Sequence, residues 1–181
     1  NGSTPYDATS NPTGDFGFRA ASVDGLTVQG SRFIDNVTTV GLSTGYSGGA
    51  KFNTDTNLIV DNNSFVGNAG GAQLWVDIDS HDFRVSNNTV MMQPNSVSSL
   101  LAQEGIRVEV SCGGASGGFV QDNGVSVPAN TATPGYVAGI DLYDSSGISL
   151  LRNTVVVPHV STPNFGIRMF GGTHGGQPFH D

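Results

Sequence analysis

Six times the chain repeats one short pattern: a glycine, a small or apolar residue, a residue suited to face solvent, and another apolar residue. The copies are Gly17-Phe18-Arg19-Ala20, Gly49-Ala50-Lys51-Phe52, Gly71-Ala72-Gln73-Leu74, Gly105-Ile106-Arg107-Val108, Gly139-Ile140-Asp141-Leu142 and Gly166-Ile167-Arg168-Met169. Self-similarity at a period of tens of residues marks a solenoid, in which each repeat buries its apolar face only against its neighbours. Successive glycines stand 32, 22, 34, 34 and 27 residues apart. Each repeat therefore contains a segment of variable length.

A second motif follows each glycine motif. Gly25 to Phe33 matches Asn57 to Phe65, Asp82 to Val90 and Gly147 to Val155, and a degraded copy passes through Phe119, Val120, Asn123 and Val125. Each copy reads as a short alternating strand, a tight polar turn and the start of another strand. One coil is thus three short strands, and the variable segment is the return from the third strand to the next first strand. Long returns are read at Thr38–Gly48, Met91–Glu104, Ser126–Ala138 and Val156–Phe165, and a short one at Val66–Gly70. The second long return has room for a helical turn around Leu100 and Leu101. Leaving at one corner, the returns are expected to form a wall beside the first-strand sheet.

Stacked coils set like residues over like, at about 4.8 Å per coil. The inward columns are then Ala50/Phe52, Leu74/Val76, Ile106/Val108 and Ile140/Leu142, with Val60, Val85, Val120 and Leu150 on the second sheet. Asn63, Asn88, Asn123 and Asn153 align at the second turn, with Ser31 in the first coil. Asparagine tolerates left-handed geometry and bonds its neighbours above and below, so this column is expected to be a structural ladder. The ladder accounts for the glycosylation sequons at Asn62 and Asn87 as by-products; two others begin at Asn1 and Asn36.

Composition agrees with an all-β chain. Glycine numbers 26 of 181 residues and charged residues only 12%, which suits many tight turns because glycine enters positive φ without a steric cost. A net charge of −8 argues against nucleic-acid partners, which need a basic footprint. No apolar run approaches the roughly 20 residues needed to span a bilayer, so no membrane insertion is expected. The polar start Asn1-Gly2-Ser3 has the character of neither a signal nor a transit peptide. The single cysteine, Cys112, follows the alternating Val108 and Val110 and is expected to be a buried thiol.

The arrangement resembles the right-handed parallel β-helix of the pectin-lyase-like superfamily. Gly139 to Val155 is the most specific stretch, and the resemblance covers roughly residues 15–171. The expected fold is an all-β, right-handed parallel β-helix solenoid of about six coils over residues 15–181, after an extension at 1–14. No capping helix is read before Asp15 and no polar cap after Phe170, whereas solenoids need capped ends. The β-helix is therefore expected to belong to a longer or an oligomeric solenoid.

In that superfamily, which includes polysaccharide lyases, hydrolases, epimerases and phage tailspike depolymerases, the saccharide lies along the first-strand sheet. Here that sheet is expected to present two outward columns. The first is Arg19, Lys51, Gln73, Arg107, Asp141 and Arg168; the second is Ala21, Asn53, Trp75, Glu109, Tyr143 and Phe170. Cations for a carboxylated sugar and aromatic faces for its rings suit an anionic polysaccharide. Arg19, Lys51, Gln73, Trp75, Tyr143 and Phe170 are then the binding residues, and Arg107, Glu109, Asp141 and Arg168 the catalytic candidates.

Two chemistries fit the four candidates. Glu109 and Asp141 on adjacent coils, about 7–8 Å apart on the diagonal, suit inverting glycoside hydrolysis. Alternatively they hold a divalent cation such as calcium against a uronate while Arg107 or Arg168 removes the α-proton in a β-elimination, the favoured reading. The plain alternative is a salt-bridged cluster without catalysis. Asp77, Asp79 and His81 alternate and form a weak metal candidate beside their simpler reading as a polar turn; His159, His174 and His180 gain no partner from sequence. The functional expectation is binding and depolymerisation of an anionic extracellular polysaccharide at an extracellular, cell or virion surface. The competing expectation is a structural spike, adhesin, tailspike or filament module, associating as a homo-oligomer or end to end.

Overall fold

The computed structural model describes residues 16–36, 48–68, 71–94, 102–128, 136–158 and 164–171. Each coil contributes one strand to each of three faces. The first coil runs through β1 (Phe16–Ala21), β2 (Thr27–Gln29) and β3 (Arg32–Ile34), and the second through β4 (Gly48–Asn53), β5 (Ile59–Asp61) and β6 (Ser64–Val66). The third holds β7 (Ala72–Asp77), β8 (Arg84–Ser86) and β9 (Thr89–Met91); the fourth holds β10 (Ala102–Glu109), β11 (Gly118–Gln121) and β12 (Gly124–Ser126). The fifth has β13 (Tyr136–Tyr143), β14 (Ile148–Leu151) and β15 (Thr154–Val156), and β16 (Asn164–Phe170) follows.

Strands of one kind pair in parallel with the same strand of the next coil. The sheets run β1-β4-β7-β10-β13-β16, β14-β11-β8-β5-β2 and β15-β12-β9-β6-β3. This is a parallel β-helix solenoid. The core is the stack of inward columns read from the sequence: Ala50, Leu74, Ile106 and Ile140 lie in register on the first sheet, and Val60, Val85 and Val120 on the second. All seven are fully buried.

The asparagine column is a ladder. Asn63, Asn88 and Asn123 each donate their backbone N–H and side-chain Nδ2 to the Oδ1 of the asparagine one coil on, at 2.9–3.1 Å. Each Nδ2 also donates to a carbonyl in the coil before, Val28, Val60 and Val85 in turn. The left-handed position, however, belongs to the preceding residue. Gly30, Asn62, Asn87, Asp122 and Arg152 have φ of +51° to +62°, so the ladder asparagines serve as bonding groups and the turn strain falls one residue earlier. Replacing Asn88 with alanine would strand the Asn63 N–H inside the turn and take the Nδ2 donor from the Val60 carbonyl. At about 1–3 kcal/mol for each buried orphan, N88A is expected to lose about 2–4 kcal/mol in urea unfolding. A loss below 1 kcal/mol would show that the ladder does not hold the coils.

A second polar column, at the first turn, has no counterpart in the sequence reading. Asp55 accepts from Val23 N–H at 2.7 Å, its own N–H donates to Ser80 Oγ, and Ser111 N–H donates to Ser145 Oγ. Burial pushes the Asp55 carboxyl above its ordinary value. Cys112, expected to be buried by alternation, is only half-buried. Val110 turns to φ +47°, which ends the alternation two residues before the thiol.

The largest correction concerns β7. Aligning glycines puts Gly71 over Gly49 and Gln73 over Lys51; in the structure Lys51 pairs with Trp75 and Arg107 pairs with Trp75 from the other side. Gln73 takes the glycine's place in the column, fully buried. Its Oε1 accepts from both nitrogens of Asn68 at 3.0–3.1 Å, and its Nε2 donates to the Asn68 carbonyl. The return from β6 to β7 is the shortest in the chain, and Gln73 closes that corner with a side chain. A slip of two residues keeps every inward residue inward, so alternation could not detect it.

The expected wall of returns, the helical turn at Leu100 and Leu101, the extension at 1–14, and His159, His174 and His180 lie outside the described residues.

Candidate functional site

The outward face of the first sheet gathers charge that a β-helix core does not require. With β7 in its true register, the first column is Arg19, Lys51, Trp75, Arg107, Asp141 and Arg168, and the second is Ala21, Asn53, Asp77, Glu109, Tyr143 and Phe170. Gln73 has left the columns, Trp75 has moved to the first, and Asp77 has entered the second.

The charges are paired along this face. Lys51 Nζ lies 2.7 Å from Asp77 Oδ2 and 3.4 Å from the centroid of the Trp75 ring. Arg107 donates from Nη1 to Glu104 Oε1 at 2.9 Å and from Nη2 to Glu109 Oε1 at 2.7 Å. The same guanidinium sits 5.0 Å from the Trp75 ring and 5.3 Å from the Tyr143 ring. Arg168 holds both oxygens of Asp141 at 2.8 Å and lies 3.7 Å from the centroid of Tyr136. The Tyr136 hydroxyl donates toward Glu104 Oε1 at 2.8 Å and Asp141 Oδ2 at 3.3 Å, and accepts from Arg168 Nη2.

This cluster is largely closed to solvent. Asp141 is fully buried, and Glu104, Trp75 and Asp77 are within 3% of it. The Arg107 and Arg168 side chains keep 15% and 17% exposure. Burial dominates the electrostatics. It drives the Glu104 carboxyl above its ordinary value in spite of Arg107, and it raises the Tyr136 hydroxyl, with Glu104 and Asp141 adding to the effect. It pulls Lys51 down, only partly opposed by Asp77. For Arg107 burial also pulls down, but Glu104 and Glu109 together outweigh it and hold the guanidinium above its usual range.

Comparison with protein-family models, with curated proteins and with solved structures gives no match.

The sequence-derived site is thus partly assembled. Arg107, Glu109, Asp141 and Arg168 lie together, with Lys51, Trp75 and Tyr143 around them; Phe170, half-exposed, stacks on Tyr143 at 5.5 Å. Arg19 is exposed at the far end of the sheet. Lys51, Arg107 and Arg168, read from sequence as cations for a carboxylated sugar or as members of a salt-bridged cluster, each have carboxylate partners in their own sheet. Asp77, Asp79 and His81 do not share a face. Ile78 and Asp79 form a turn at φ +37° and +54°, Asp77 is held by Lys51, and His81 Nδ1 contacts Asp82 at 2.7 Å. Among the described residues no three His, Cys, Asp or Glu side chains are grouped to hold a metal ion.

Sequence reasoning missed Glu104 and Tyr136. Both stand just upstream of a motif glycine, in the longer first strands β10 and β13. Extending the motif backwards from Gly105 and Gly139 would have included them.

Proposed function

We propose that this β-helix is of the pectin-lyase-like kind and binds a polysaccharide along the outward face of its first sheet, cleaving it with carboxyl groups. The observation that carries this reading is the mixed cluster running from Lys51 to Arg168. Burying ions costs several kcal/mol each before pairing returns any of it. The inward columns already supply the core, so a buried ionic cluster on the opposite face supports a ligand site. Indole and phenol rings give flat apolar platforms for sugar rings, and guanidinium and carboxylate groups match hydroxyls.

The chemistry favours hydrolysis over β-elimination. An arginine base must lose its proton, and Arg107 lies above its ordinary value beside two carboxylates. Glu104, raised by burial, has the character of a general acid. A second reading, a structural module whose buried ion pairs only fix the stacking of coils, is favoured by the complete pairing of Lys51, Arg107 and Arg168.

A panel of neutral and anionic polysaccharides separates these readings. Binding with release of reducing ends is expected from at least one polymer, without absorbance near 235 nm, roughly where an unsaturated uronate would absorb. A rise at that wavelength would restore elimination, with or without calcium. No binding to any polymer would leave the structural module.

A further inference from the structure

The turn that follows the first strand sets Val23, Asp55, Ser80, Ser111 and Ser145 one above another in the five coils. Each serine hydroxyl brings its own proton. Ser80 Oγ accepts from Asp55 N–H at 3.2 Å and donates to the Asp77 carbonyl at 2.8 Å. Ser145 Oγ accepts from Ser111 N–H at 3.2 Å and donates to the Tyr143 carbonyl at 3.0 Å. Ser111 Oγ donates to the Glu109 carbonyl at 2.9 Å. Asp55 holds the equivalent place with a carboxyl group, which donates only when protonated.

That carboxyl is fully buried. Oδ1 accepts from Val23 N–H at 2.7 Å, whereas Oδ2 is buried with no hydrogen-bond partner among the described residues. Among those residues no cation pairs with it either. The charged groups on the surrounding elements are engaged elsewhere: Asp24 in the first coil accepts from Thr56 and Asn57, Lys51 on β4 lies against Asp77 of β7, and His81 lies against Asp82. Asp79 stands in the turn of the third coil at φ +54°. Ionised, Asp55 would be a buried charge with one hydrogen bond; protonated, it keeps the Val23 bond and loses the charge. Burial accordingly raises the carboxyl, against the backbone groups of Val23 and Asn53 that lower it.

We propose that Asp55 is a pH-sensitive clasp: neutral, it fastens the first coil to the second, and ionised, it lets that coil go. The inference stands apart from the polysaccharide reading. A carboxyl that holds its proton more firmly when folded contributes fully below the ordinary value, and that contribution is lost as pH rises through the folded value. Opening of the first coil then grows by up to about tenfold per pH unit across that interval. Asp24 and Asp61 tie the same two coils from the surface, and side-chain hydrogen bonds hold both carboxyls below the ordinary value. Their contribution is lost only in stronger acid, so the two effects occupy separate pH ranges. Release uncovers the edge of β4, where Phe52 packs against Phe18 at 5.7 Å between ring centroids, and an open strand edge is a template for pairing.

Amide hydrogen exchange on the full chain, from about pH 4 to 8 and so above the ordinary carboxylate range, tests the clasp. The reporters are Val23, Thr56 and Ile59, whose N–H groups bond across the first two coils to Asp55 Oδ1, the Val23 carbonyl and the Leu26 carbonyl. Thr154, bonded to the Asn123 carbonyl between the fourth and fifth coils, is the reference. Exchange at all four amides responds alike to hydroxide, so the ratio to Thr154 isolates opening of the first coil. Protection of the reporters relative to Thr154 is expected to fall as pH rises, by up to about tenfold per unit, and D55N, neutral at every pH, should abolish the fall. A ratio that does not change with pH in the unaltered chain would overturn the proposal, and that comparison needs no variant. A fall that persists in D55N would assign the effect to another group, His81 included, and overturn it equally. D55S, which restores the hydroxyl of the other coils, gives the same test if D55N does not fold.

Discussion

Asp141→Ala is expected to lower stability by about 3–5 kcal/mol, the range for breaking a buried ion pair by removing one partner. The substitution leaves the Arg168 guanidinium, 17% exposed, without the two 2.8 Å bonds that hold it, and removes one acceptor from Tyr136. For a chain of this size the melting temperature should fall on the order of 10 °C. Asp122→Ala is the internal control. Asp122 and Arg152 also form a bidentate pair, both bonds 2.7 Å, but on the surface with side-chain exposures of 29% and 67%. Such exposed pairs contribute about 0–1 kcal/mol. Equal losses in the two variants would show that burial adds nothing to the inner pair, and the argument from a costly buried ionic cluster on the outward face would fall with it.

The double variant Asp141→Leu with Arg168→Met carries that contrast into function. Replacing both members of a buried pair by apolar residues is often neutral or stabilising. Most of the stability lost in Asp141→Ala should therefore return. A folded double variant that still binds polysaccharide as the unaltered chain does would make the cluster purely structural. A folded double variant that no longer binds would separate the role of the charges from their contribution to the fold.

The parts of this molecule legible in sequence are those with a strict period. Inward residues alternate, and Asn63, Asn88, Asn123 and Asn153 recur at one turn, because each must meet its own kind one coil away. The site was less legible for two physical reasons. Register slips of two residues preserve alternation, so Trp75 took the place read for Gln73, and Asp77 the place read for Trp75, without disturbing the pattern of Leu74 and Val76. The glycine at the start of each motif also interrupts the alternation. Glu104 lies two residues before the core residue Ile106, yet its carboxylate bonds Arg107 on the outward side. Period-two reasoning assigns Glu104 to the core face, and only the geometry around Gly105 returns it to the cluster.

That spatial role of glycine gives the second large prediction. Gly48→Ala is expected to abolish the cooperative fold, whereas Gly124→Ala should leave it intact. A Cβ on Gly48 would stand 1.8 Å from the Ala72 carbonyl oxygen, a backbone atom of the paired strand β7. No rotamer relieves that contact, because Cβ position is fixed by the backbone. Either β4 and β7 separate, losing ladder bonds beside Lys51 and Trp75, or the main chain of both coils shifts. The cost is comparable with the roughly 5–15 kcal/mol that holds a whole domain together. Gly124, on β12, has nothing within 4 Å of its would-be Cβ, and its φ is not in the left-handed region. Alanine there should stabilise by about 0.4–1 kcal/mol by restricting the unfolded chain. Circular dichroism and thermal melting of the two variants decide the matter. A folded Gly48→Ala with an unchanged melting temperature would mean that the coils stack less closely at the first sheet than Ala72 and Gly48 imply, and the cluster built on that spacing would lose its geometry.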